Sequence, residues 1–103
     1  MSNPALFVKR VGEVFEIERD TSGPLQVSLV EVRDLSSPQN QPSAIMMPDA
    51  RPDPFSLLFR GPSDHALSQG IYRFNHRSIG GMDLFIVPVA GTTDGIFYEA
   101  VFN

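Results

Sequence analysis

The sequence predicts an all-β fold: a single small antiparallel barrel or two-layer sandwich of about six strands, interrupted by a long proline-rich loop. Three observations predict it. Short segments rich in β-branched and aromatic residues alternate apolar with polar side chains at period two. Gly, Pro, Asn and Asp clusters separate them at hairpin distances. A turn of helix fits Pro4–Val8 and, within a polar loop, Ser63–Gln69, and nothing longer. A chain of 103 residues with 42% apolar content and ten aromatic rings is one domain with a real core.

The N-terminal arm, residues 1–12, places Phe7, Val8 and Val11 at rough helical spacing, so it packs as a lid or frays as a terminus. Glu13–Glu18 then alternates Phe15 and Ile17 against Val14, Glu16 and Glu18, a short strand with one wet face. After the polar turn Arg19–Pro24, Leu25, Val27 and Leu29 alternate with Gln26 and Ser28. The phase then slips, with Val30 and Val32 apolar and Glu31 and Arg33 charged. One slip in a period-two pattern predicts a β-bulge near Leu29–Val30.

Ser36–Pro54 holds five prolines, which cannot donate to a ladder, so no central strand fits there. Inside it, Ile45, Met46 and Met47 make an apolar patch. Such a patch either tucks over an open end of the core or meets a partner protein. Phe55–Arg60 resumes as a strand with Phe55, Leu57 and Phe59 on one side. Ser63–Gln69 is a polar loop closed by Gly70, and Ile71–His76 is a strand with Tyr72 and Phe74 on one face. Arg77–Gly81 turns into the last two strands, Met82–Val89 and Ile96–Phe102, joined through an Asp94-Gly95 reversal. In the last strand Ile96, Tyr98, Ala100 and Phe102 share one face while Phe97, Glu99 and Val101 share the other. With both faces largely apolar, this strand belongs at the centre of a sheet or in a closed barrel.

The chemistry-bearing residues are sparse. With no cysteine there is no disulfide, thiol nucleophile or cysteine zinc site. Ser63-Asp64-His65 has the letters of a triad, but adjacent side chains diverge where a triad needs convergence. His65 and His76 lack an obvious third metal ligand, and Asp49 and Asp53 are too sparse for a calcium loop. Gly80-Gly81 lacks the lysine and the strand–loop–helix setting of a phosphate cradle. Glu16, Glu18, Glu31 and Glu99 read as strand charges that pair or face water. Arg60 and Glu99 are expected to form a partly buried ion pair between neighbouring strands. The net charge of −4, with one Lys and seven Arg scattered, argues against nucleic acid. No apolar run approaches a membrane span and MSNPALFVKR is not a signal peptide, so a cytoplasmic location and no membrane contact are expected.

The segments PFSLLFRGP (Pro54–Pro62), QGIYRFNH (Gln69–His76), DLFIVPV (Asp83–Val89) and DGIFYEAVFN (Asp94–Asn103) resemble a family of small bacterial domains of unknown function. VGEVFEI (Val11–Ile17) and LVEVRDL (Leu29–Leu35) resemble its early strands. The resemblance covers most of the chain outside Ser36–Asp53. It carries over no activity and no functional residue, and it implies an accessory or interaction role, not an enzyme, beside phage-tail-like proteins; no cofactor is expected. In that family's terms Gly61-Pro62 and Gly70 shape turns, while Tyr72, Phe85, Tyr98 and Phe102 fill the interior.

The first functional expectation is therefore a non-enzymatic protein-interaction or structural accessory domain. It would make contact through Ile45, Met46 and Met47 and through free sheet edges, and it is compatible with a homo-oligomer. The second is a small-ligand barrel lined by Tyr72, Phe74 and Phe97. The third is a hydrolase using His65 or His76 with nearby carboxylates.

Overall fold

The alternation of Phe55, Leu57 and Phe59 is what turns one side of a strand inward, and the same parity repeats around a ring of six strands. The chain, described over residues 4–19, 23–34 and 55–102 in a computed structural model, runs α1 (Pro4–Val8), β1 (Val14–Ile17), β2 (Leu25–Asp34), β3 (Phe55–Gly61), β4 (Gly70–His76), β5 (Gly80–Thr92) and β6 (Gly95–Phe102). The strands close in the order β1-β2-β3-β6-β5-β4, every neighbour antiparallel. The proline-rich loop, with Ile45, Met46 and Met47, lies outside the described residues.

Each strand contributes its inward parity to one core. Phe15, Ile17, Leu25, Val27, Leu29, Phe55, Leu57, Phe59, Phe74, Leu84, Ile86, Tyr98 and Ala100 are buried together. Aromatic rings interlock at its centre: Phe59 packs edge-on to Phe15 at 5.4 Å and tilted against Phe74 at 4.9 Å. Phe7 of α1 is fully buried and caps one end of the barrel, 6.0 Å from Phe55 and 5.6 Å from Phe102, which stack on each other. The arm is thus a lid through Phe7 alone, since Val8 and Val11 point to solvent.

The expected bulge is present: β2 skips a residue against β3 between Leu29 and Glu31, leaving Val30 outside the register. A second bulge falls between Pro88 and Ala90 on β5. It lets a proline and the exposed Val89 sit in a strand that would otherwise exclude them.

The structure corrects four local expectations. β5 reaches from Gly80 to Thr92, longer at both ends than Met82–Val89, because Gly81 and Gly80 pair with Asn75 and His76. The final reversal turns on Thr93 and Asp94, so Gly95 opens β6. Its place is set by crowding: a Cβ there would lie 2.4 Å from the Gly61 carbonyl oxygen. The link from β3 to β4 is not a hairpin. It carries the chain across the second end of the barrel, where the Leu67 N–H donates to the Tyr98 hydroxyl at 2.9 Å. Finally, Phe85 does not fill the interior. Its neighbours Leu84 and Ile86 are the buried pair, so strand parity sends Phe85 out. Of the other three residues expected inside, Tyr98 is fully buried, and Tyr72 and Phe102 are half-buried.

Candidate functional site

The outward parity of β4, β5 and β6 builds the most distinctive surface of the molecule. Ile71 pairs directly with Phe85 across β4 and β5. On the next strand, Ile86 pairs with Ala100 and Val87 with Glu99, so Phe85 stands level with Val101. Ile71, Phe85 and Val101 are 71%, 52% and 49% exposed, a row of apolar side chains across three strands. Single exposed apolar residues are ordinary, and here register aligns three of them side by side.

Charges border the row. On one side Arg73 meets Asp83 across the same two strands, Nε to Oδ1 at 3.0 Å. On the other side Glu99 lies half-buried beside Val87. Glu99 also lines a depression of about 260 Å³ with Glu31, Arg33, Ser56, Leu58 and Val89. Glu31 and Arg33 make a long contact of 3.8 Å within β2.

The register sets Arg60 opposite Phe97 and Glu99 opposite Leu58, making Arg60 and Glu99 diagonal neighbours on the outer face. The ion pairs formed among the described residues join Glu31–Arg33, Asp64–His65, Arg73–Asp83 and Glu13–His76, and Arg60–Glu99 is not one of them. Arg60 instead lays its methylenes against Gly95. Glu99 has no ion-pair or hydrogen-bond partner among the described residues.

The two histidines are not brought together. His65 lies exposed in the loop before β4, with Nδ1 2.9 Å from Asp64 Oδ1. That hydrogen bond is the main reason the Asp64 carboxyl sits below its usual 3.8. His76 closes β4 at the other end of the strand, with its side chain buried. Its Nε2–H donates to Glu13 Oε1 at 2.6 Å, and the backbone N–H groups of Ser78 and Ile79 donate to Nδ1 at 3.0 and 3.4 Å. These partners fix the tautomer, proton on Nε2, and the ring packs 4.6 Å from Phe15. With both ring nitrogens engaged, His76 clasps the β4–β5 turn to the start of β1. Nothing in the sequence near His76 pointed to Glu13, 63 positions away.

Tyr72 and Phe74 lie on the inner parity of β4 and Phe97 on the outer parity of β6, so the three do not line one cavity. Among the described residues no cluster of three His, Cys, Asp or Glu side chains could hold a metal ion. No described helix is long and apolar enough to cross a membrane. Among the described residues every strand has a neighbour on both sides, and the short β1 pairs only with Leu25–Ser28 of β2 and with Phe74 and Asn75 of β4.

A family model described as a domain of unknown function (DUF6916) matches residues 3–102. No curated protein and no solved structure matches the chain.

Proposed function

The chain belongs to that family, and we propose that it is a non-enzymatic protein-interaction or structural accessory domain whose contact surface is the outer face of β4, β5 and β6. The exposed Ile71–Phe85–Val101 row carries the reading. Phe85 keeps about half its surface in water on the outer side of a closed barrel, and covering it against another protein removes that half from water. Several features favour contact over catalysis. The interior is filled by touching aromatic rings, His76 has both nitrogens bonded, and His65 faces solvent with only Asp64 beside it. A tail-like multiprotein assembly is the setting we propose, on the strength of the sequence resemblance alone.

The test is a photo-crosslinking residue at position 71, introduced in the native host. The reading predicts covalent adducts between this chain and protein, absent when the crosslinker replaces exposed Gln26 on β2, across the ring from β5. Equal adduct yields from positions 71 and 26, or none from position 71, would sink it.

A further inference from the structure

We infer that the occupant of this face is a second copy of the same chain, docked across a two-fold axis through Phe85. The inference rests on reading the face as a protein contact, and the arrangement of charges around Phe85 carries it. Arg73 is level with Asp83, two residues from Phe85 in one direction along β5. Glu99 is level with Val87, two residues from Phe85 in the other direction. Arg73 stands one strand to one side of Phe85 and Glu99 one strand to the other. By ordinary strand spacing each is about 8 Å from Phe85, on opposite corners of the row. Phe85 is therefore the midpoint between a cation and an anion.

An isologous contact demands this symmetry, because each surface must complement itself. A two-fold lying in the plane of the face, through Phe85 and perpendicular to the Arg73–Glu99 line, brings Phe85 onto its own copy. It sets Ile71 near Val87 of the second molecule and exchanges Arg73 with Glu99, so two ion pairs form at once. Glu99 has no partner among the described residues, and Arg73, held by Asp83 through Nε, carries further donors in its guanidinium fork. The pair of charges that register keeps apart within one molecule becomes complementary between two.

Sedimentation equilibrium on the purified chain tests this. The wild type is expected to shift from monomer to dimer with rising concentration, and Phe85→Asp to remain monomeric. Arg73→Glu alone and Glu99→Arg alone each place like charges across the axis and lose the dimer, whereas an equimolar mixture of the two variants regains it. A wild type monomeric throughout, or a dimer indifferent to Phe85→Asp, overturns the inference. So does a mixture that associates no better than its components. Should Arg73→Glu fail to fold, the absence of native cysteine offers a second route. Arg73→Cys mixed with Glu99→Cys should oxidise to the mixed disulfide several-fold over either homodimer, and equal yields would overturn the proposal. A monomeric wild type whose position-71 crosslinker still captures a different protein removes the self-contact and leaves the protein-contact reading standing.

Discussion

Phe74 and Phe85 are the same residue on adjacent strands of one sheet, and they do opposite work. Phe74 is fully buried against Phe59, while Phe85 is half in water beside Ile71. The two histidine–carboxylate contacts divide in the same way. His76 and Glu13 meet at 2.6 Å with the ring buried, and His65 and Asp64 meet at 2.9 Å in solvent. What separates the members of each couple is which side of the strand or loop faces inward, not residue type. The inward set holds the barrel closed, and the outward set faces solvent.

The largest expected effect is on the inward phenylalanine. Phe74→Ala removes a ring from a close-packed interior and should cost about 3–5 kcal/mol, read as a lower urea midpoint. A loss under 1 kcal/mol would mean that the interior is loose enough to hold a ligand, reviving the small-ligand barrel. Next comes the clasp. His76→Ala leaves the Ser78 and Ile79 N–H groups without their acceptor and unties Glu13, for a loss of about 1–3 kcal/mol. A stability unchanged by this substitution would remove His76 from the structural set.

Phe85→Ser should shift the midpoint by no more than about 0.5 kcal/mol at concentrations where the chain is monomeric. The smallest effect belongs to the exposed pair. His65→Ala should let the Asp64 carboxyl rise back toward 3.8 in an NMR titration, since the hydrogen bond that lowers it is gone. A depressed carboxyl stabilises the fold above its unfolded pKa and loses that contribution as pH falls through the folded value. For a group this exposed, the unfolding midpoint near pH 4 should be unchanged by the substitution.

Much of the barrel was legible in the residues. The alternation in Phe55–Arg60 set its inward face, the two apolar faces of Ile96–Phe102 pointed to a closed or central position, and the single slip after Leu29 located a bulge that the pairing contains. The apolar run Leu84–Val87 carried less information, because four consecutive apolar residues fit either parity. The family resemblance placed Phe85 in the interior, the run offered no parity to correct it, and the exposed row was missed. The Arg60–Glu99 expectation rested on charges of opposite sign on neighbouring strands. Register decides whether such charges meet, and register depends on a turn and a bulge several residues away. The His76–Glu13 clasp depends on β1 closing against β4, a long-range pairing with no local signature.

The central claim is that one side of this sheet holds the fold and the other makes contact. It is tested most directly by measuring the urea midpoint and the position-71 crosslinking yield of the Phe85→Ser chain side by side. The account predicts a wild-type midpoint with the crosslinked product largely gone. A midpoint that falls as far as that of Phe74→Ala, or a crosslinking yield equal to wild type, would contradict it.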